Sequence, residues 1–285
     1  MTQFLQLTIN GILAGGIYAL ISMGLTLIFG VMQIINFAHG EFLMLSMYAT
    51  FWLASLYGID PYVSLLIILP GFYLVGLVFQ RTMIDPLLKA PEIAQIFATV
   101  GLSIVLQNVA LFVFSADYRT LKSTYSGQSL ETGDLYFAVT RLIAFGFVIF
   151  LTLALFWFIK KTFWGKAIRA TAQNREAAQL MGINIKKVYS LSMGIGIACV
   201  AMAGAVLSPI YSIFPSVGVQ FVLIAFVVVV LGGMGNLEGA FLGGIMIGLI
   251  EALSGFFIAP PLKTLVYFVM FMLILIFKPT GLFRA

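Results

Sequence analysis

Residues 34–42, "IINFAHGEF", set three polar side chains between long apolar runs: Asn36, His39 and Glu41, with Gly40 separating the last two. An imidazole so close to a carboxylate invites a proton relay, or a general base with its partner. On a helix, however, residues two apart diverge by about 200°, so the two groups do not face each other. No serine or cysteine nucleophile constellation accompanies them, and a metal would need more ligands. An enzyme reading is therefore poor. The residue types fit a helix start better, with Asn36 capping exposed amide groups of the following turn. Inside a membrane such a start can offer its amides to a substrate carboxylate; at the rim it would act in gating. A partly buried break is the expectation here.

Two further sets of residues share this texture. Gln95, Thr99, Ser103 and Gln107 recur every four residues, with Asn108 beside the last, and so form a polar stripe along one helix face. Such a stripe should face protein or water rather than lipid. It could line a translocation cavity or hydrogen-bond neighbouring helices; for Ser103 the packing role is preferred. The second set is Gly235, Gly239 and Gly243, with Ala240, Gly244, Gly248 and Ala252, small residues in rows four apart that let helices approach closely. Glu251 lies on the same helix. An ionisable group there is costly unless paired or hydrated, so it marks an interior or interface position, and charge pairing is preferred to proton transfer.

The elements that position these residues follow from composition. The chain has 285 residues, 62% hydrophobic and 9% charged, with mean hydropathy +1.11. Soluble domains carry about 25% charged residues, so this is a polytopic membrane protein in a single domain, 1–285. Its apolar runs are too long for barrel strands and must be helices. The expected spans are 5–30, 41–58, 62–80, 92–114, 139–159, 189–211, 217–231, 237–258 and 262–277, eight or nine in all, some broken or short. The second, seventh and eighth fit least well. Cys199 is the single cysteine, placed in an apolar run as a small core residue, and no metal or cofactor site is expected.

Charge sets the orientation. Nine crossings gather Arg81, Lys89, Lys160, Lys161, Lys166, Arg169, Arg175, Lys186, Lys187, Lys278 and Arg284 on one face, against Arg119, Lys122, Arg141 and Lys263 on the other. Basic loops stay cytoplasmic, so the C-terminus is expected inside and the N-terminus outside. The net charge of +5 is read as this asymmetry, with no nucleic-acid partner. There is also an internal echo: "GVMQIINFAHGEFLML" resembles "GGMGNLEGAFLGG", pairing Asn36 with Asn236 and Gly40 with Gly239 as two helix breaks beside a translocation path.

Two connections are long. The 115–138 segment, with Asp117, Arg119, Lys122, Glu131 and Asp134, lies on the outer side as a docking surface or a solvated connector. The 160–188 segment has room for helices of its own. In "NREAAQLMG", Asn174 can N-cap, Glu176 suits the first turn and Gly182 can take the left-handed C-cap. Such a helix could lie on anionic headgroups of membrane lipid. Its weak amphipathy and its small Ala177 and Ala178 favour docking to a cytoplasmic partner instead.

Glu176-Ala177-Ala178-x-x-x-Gly182, preceded by Arg175, resembles the EAA loop by which permease subunits of bacterial ABC importers engage their ATPases. "INFAHGEFLML", "VVVVLGGMGNLEGAFLGG" and the C-terminal "FKPTGLF" resemble the high-affinity branched-chain amino-acid permeases, the smaller of two paired membrane subunits. The hydrophobic-x-Leu-Pro element that follows the glycine in many ABC importers is absent. This resemblance implies an inner-membrane permease carrying leucine, isoleucine or valine. It also implies two partner ATPase subunits, a second homologous permease in a heterodimer, and a periplasmic binding protein that delivers cargo. Related permeases take urea, short amides or other amino acids. No G-x-x-x-x-G-K-[ST] phosphate loop occurs, so ATP hydrolysis would reside in the partners and this chain is read as no enzyme. An ion-coupled secondary transporter would need deep ion-coupling groups, and a channel would leave the basic loop unexplained.

Overall fold

In lipid every backbone amide must find its partner within the chain, and long apolar stretches do so as helices. The computed structural model describes residues 2–123, 125–132, 135–278 and 281–283; Asp134, Pro279, Thr280 and Arg284, named above, lie outside them. The order begins with α1 (Thr2–Met32) and α2 (His39–Tyr57). Then α3 (Leu65–Phe79) continues through a π-helical turn, Gln80–Ile84, into the short α4 (Asp85–Leu87). After α5 (Glu92–Phe114) come strands β1 (Ser129–Thr132) and β2 (Leu135–Ala138). Next are α6 (Val139–Lys161), α7 (Phe163–Gln173), α8 (Arg175–Leu180) and α9 (Ile185–Leu207). The last three are α10 (Val217–Gly232), α11 (Leu237–Phe257) and α12 (Lys263–Phe277).

Six helical stretches are long and apolar enough to cross a membrane: α1, α3 through α4, α5, α6, α9 and α11. The nine expected spans thus resolve into these six, the 19-residue α2, and two shorter helices, α10 with 16 residues and α12 with 15. The chain is a multi-pass, mainly helical membrane protein with broken and short helices. The 115–138 segment, expected as an outer connection in an all-helical chain, instead holds an antiparallel hairpin of β1 and β2, Ser129 opposite Ala138.

The bundle has two chemically different ends. At one, Lys160 pairs with Glu238, and Arg81, Lys186 and Lys187 gather round Trp164; this is the basic end. At the other, the hairpin is tied to the start of α1, where the Gln6 amide donates to the Tyr136 carbonyl (2.6 Å) and accepts from its N–H (2.9 Å). The core lies along α1 and α9, of whose most apolar stretches 83% and 78% are buried, whereas α5 is only 17% buried and belongs to the periphery.

Small residues explain how the core closes. Gly244 and Gly248 of α11 lie against Ala19, Gly15 and Gly11 of α1, while Gly239 and Gly243 meet Gly232 and Leu231 of α10. The small-residue rows therefore serve two faces at once. This is the packing that stands in for hydrophobic drive when lipid is as apolar as leucine.

Candidate functional site

The chain leaves α1 at the basic end through Gln33, whose left-handed φ of +58° is uncommon for a residue with a side chain. Residues 33–38 then run back into the bundle. Six residues can span up to about 20 Å when extended, and they bring His39 beside Ile21, about 16 Å back along α1 by helix rise. There the His39 ring lies with Nε2 3.2 Å from the Ile21 carbonyl, which accepts its proton. So α2 starts near mid-bundle, completely buried, and only then runs toward the hairpin end.

A second helix starts against it. Residues 208–216 turn inward from the hairpin end, tied to the outer segment by paired backbone hydrogen bonds between Arg119 and Ile213. The chain then forms α10, which runs to the basic end. Gly40 of α2 and Gly218 of α10 sit backbone to backbone: a methyl group on either would collide with the carbonyl of the other. Two half-helices of opposite direction thus meet by their N-termini, an arrangement that transporters use near the bilayer midplane. The internal echo in the sequence sets the α2 break against residues 233–236 instead. That break lies at the basic end, where Asn236 N-caps α11 by accepting from Gly239 N (3.0 Å) and Met234 is exposed. The buried counterpart of Gly40 is Gly218, not Gly239.

Asn36 also differs from expectation in detail. Its Oδ1 accepts from Ala38 N (3.1 Å) and forms a turn before the helix, while the N-cap position itself is Ala38 with no side-chain cap. His39 and Glu41 point apart, as their spacing requires: His39 toward α1, Glu41 toward α5. Glu41 Oε1 accepts from Ser103 Oγ and from Gln107 Nε2, both at 2.9 Å, and Gln107 also donates to Ser103 (3.1 Å). Glu41 Oε2 has no hydrogen-bond partner among the described residues and lies 3.0 Å from where a Gly218 methyl would be. No cation neutralises this buried carboxylate there; it sits in the first turns of two helices, whose dipoles favour an anion.

Of the α5 stripe, Thr99, Ser103 and Gln107 face the segment between Ile35 and Glu41. Thr99 Oγ1 donates to the Ile35 carbonyl (3.1 Å), and Gln95 Nε2 holds the preceding turn through the Leu87 and Ala90 carbonyls. Asn108 instead turns outward and donates to Ile104 O of its own helix. A cleft of about 240 Å³ is lined by Gln107, Asn108, Tyr118, Phe214 and Ser216, so Gln107 touches both Glu41 and a space reached from the hairpin side.

Glu251 stands outside the crossing and is paired. Its Oε1 accepts from Lys263 Nζ (2.7 Å) and its Oε2 from the Tyr18 hydroxyl (2.6 Å). Neither partner was named from sequence for this role. Tyr18 carries no pattern, and Lys263 belongs to a different helix.

At the basic end, Thr162 caps α7 by accepting from Gly165 N (3.0 Å), and Asn174 caps α8 by accepting from Ala177 N (2.9 Å). Gly182 takes a left-handed φ of +83°, and the Arg175 guanidinium lies 5.5 Å from the centre of the Tyr189 ring, anchoring α8 on α9. Glu176 is exposed in the first turn. The two alanines part company: Ala178 is buried, Ala177 is exposed, and Leu180 and Met181 project furthest at 88% and 83% exposure.

Compared with known proteins, residues 7–275 match the family of the branched-chain amino acid transport system, permease component. The high-affinity branched-chain amino acid transport system permease protein LivH of Salmonella typhimurium is 34% identical, over 98% of this chain and 95% of its own. LivH of Escherichia coli K12 is 33% identical over the same shares, and BraD of Pseudomonas aeruginosa 30%, again over 98% and 95%. No solved structure matches the chain.

Proposed function

Because the chain belongs to the branched-chain amino acid transport system permease family, we propose that it is a membrane permease subunit of an ABC importer for leucine, isoleucine and valine. ATP hydrolysis falls to two partner ATPases, a second homologous permease completes the pore, and a periplasmic binding protein delivers cargo at the hairpin end. The basic end faces the cytoplasm of the inner membrane, since most of the described lysines and arginines, those of the 160–188 segment foremost, gather there. The observation that carries this reading is α8: a capped helix at the basic end, held by Arg175 and presenting Leu180 and Met181 to a partner.

In this mechanism ATP binding closes the ATPases and α8 transmits the movement to α9, which packs directly on α2. The crossing of α2 and α10 then changes which end of the cavity is open. A contact made of backbone, with no side chain between, lets two half-helices pivot without repacking a core. The Glu41, Ser103 and Gln107 network would join α5 to that movement.

The test is reconstitution in proteoliposomes with the partner ATPases, second permease and binding protein, measuring ATP-dependent leucine uptake. Uptake that follows an ion gradient with no ATPase present would overturn the importer reading. Within the working complex, Gly182→Val forces a β-branched residue into the left-handed conformation and should leave ATP hydrolysis while uptake falls about tenfold. Undiminished coupling would remove α8 from the mechanism.

A further inference from the structure

Near the hairpin end a cavity of about 190 Å³ lies between α1, α6, α9, α11 and α12, apart from the helix crossing. Drug-sized ligands fill roughly 300–1,000 Å³, so this space takes something smaller. Its polar wall holds Arg141, Lys263 and Glu251, with the Tyr18 hydroxyl between α1 and the carboxylate. Its apolar wall is aliphatic: Leu13, Ile17, Leu207 and Ile210.

The charges are unequally engaged. Lys263 and Glu251 pair with each other, the carboxylate 12% exposed and the ammonium 42%. Arg141 is exposed and makes no ion pair or hydrogen bond among the described residues. The cavity therefore offers a free guanidinium fork, a half-exposed ammonium, one carboxylate and a branched aliphatic surface. A planar fork matches a carboxylate through two parallel hydrogen bonds.

We propose that this cavity is a binding site for one small zwitterionic α-amino acid with an aliphatic side chain. The α-carboxylate lies on Arg141 and Lys263, the α-ammonium on Glu251, and the side chain against the four aliphatic residues. Binding replaces the Lys263–Glu251 pair by two ligand-mediated pairs, so no buried charge is left alone. The floor of the cavity connects to the crossing. Tyr18 and Tyr211 both pack on Phe221 of α10, at ring-centre distances of 6.4 and 5.5 Å, one turn beyond Gly218. Cargo arriving from the hairpin end would rest here before the half-helices move.

This inference rests on the amino-acid cargo proposed above. Its test uses the complete reconstituted importer and a diazirine analogue of leucine, activated by light and located by peptide mapping. Labelling is expected in the α1 peptide and in the α9 peptide that runs on to Ile210, which carry the aliphatic wall of the cavity. Leucine should compete, whereas 4-methylpentanoate, which lacks the ammonium, and isoamylamine, which lacks the carboxylate, should not. Arg141→Gln and Glu251→Gln should each lower labelling about tenfold, the loss of one charge-assisted contact. Arg141→Gln breaks no contact among the described residues, so a folding defect does not imitate its effect. Labelling elsewhere, or labelling indifferent to both substitutions while leucine uptake continues, overturns the cavity site alone. Wild-type importer that takes up no branched-chain amino acid overturns the cargo reading and this site with it.

Discussion

The two glycine-containing breaks, "IINFAHGEFL" and "GGMGNLEGAFL", read alike and do different things. After α1, six residues separate one helix from the next, enough to carry the chain back to mid-bundle before α2 begins. After α10, four residues separate the helices, and α11 begins at the end where α10 stopped. The first break buries Asn36, His39 and Glu41 completely; the second leaves Met234 exposed and closes with an ordinary asparagine cap. Similar residues thus mark a helix start in both, but the length of chain between helices sets its depth. Depth then decides whether the start's amides meet water or a buried carboxylate.

The comparison can be broken most forcefully at the glycines. Gly40→Ala should cost about 3 kcal/mol, the upper range for forcing a methyl into packed surroundings, because backbone lies opposite. Gly235→Ala at the other break takes a left-handed φ of +88° with its methyl 3.2 Å from the Gly30 Cα, a looser approach than at Gly40, and should cost about 1–2 kcal/mol. Thermal unfolding in detergent micelles measures both, and equal losses would erase the distinction. Next, Glu41→Ala leaves Ser103 and Gln107 facing an empty acceptor position and should cost about 2 kcal/mol, whereas Glu41→Gln keeps one oxygen and should cost less. Uptake assays on the same variants should rank them in the same order.

A smaller effect is expected from Asn236→Ala. Loss of the α11 cap costs about 1 kcal/mol, and the bond from Asn236 Nδ2 to Phe283 O is lost with it. Smallest of all is Glu238→Gln in that same first turn. Its partner Lys160 is well exposed, and surface pairs contribute about 0–1 kcal/mol. A large loss there would show that the second break carries more than a cap.

Much of this was legible in sequence where a local rule acts. The four-residue spacing of Thr99, Ser103 and Gln107 required one shared face, and all three reach the segment between Ile35 and Glu41. Asn174 and Gly182 carried both ends of α8. The divergence of His39 from Glu41 followed from helix geometry. What was not legible is which helix faces which. Nothing local tells Glu41 to meet α5, or Glu251 to meet Tyr18 and Lys263, since these contacts join residues far apart in the chain. The start of α10 leaves one trace in the sequence: a helix of 16 residues is short for a span, and "SPIYSIFPS" before it holds two prolines. The sequence names Ala177, Ala178, Leu180 and Met181 as one apolar surface but not that Ala178 is buried while Leu180 and Met181 protrude, because the face a short helix buries is chosen by its neighbours.

The shortness of α12 has a consequence for the surrounding lipid. Its 15 residues rise about 22 Å, less than the roughly 30 Å of a typical hydrocarbon core, and lysines stand at both margins, Lys263 and Lys278. The 31 residues of α1 exceed that thickness, but α1 is sheltered in the core and feels little of it. Hydrophobic mismatch therefore concentrates on α12, where thinning of the bilayer or snorkelling of the lysines must absorb it. Lys263 is one of those lysines and also belongs to the cavity at Glu251. Acyl-chain length should accordingly tune uptake, with thicker bilayers drawing Lys263 toward the headgroups and away from the carboxylate; equal rates across lipids of different length would show that α12 yields without disturbing its partner.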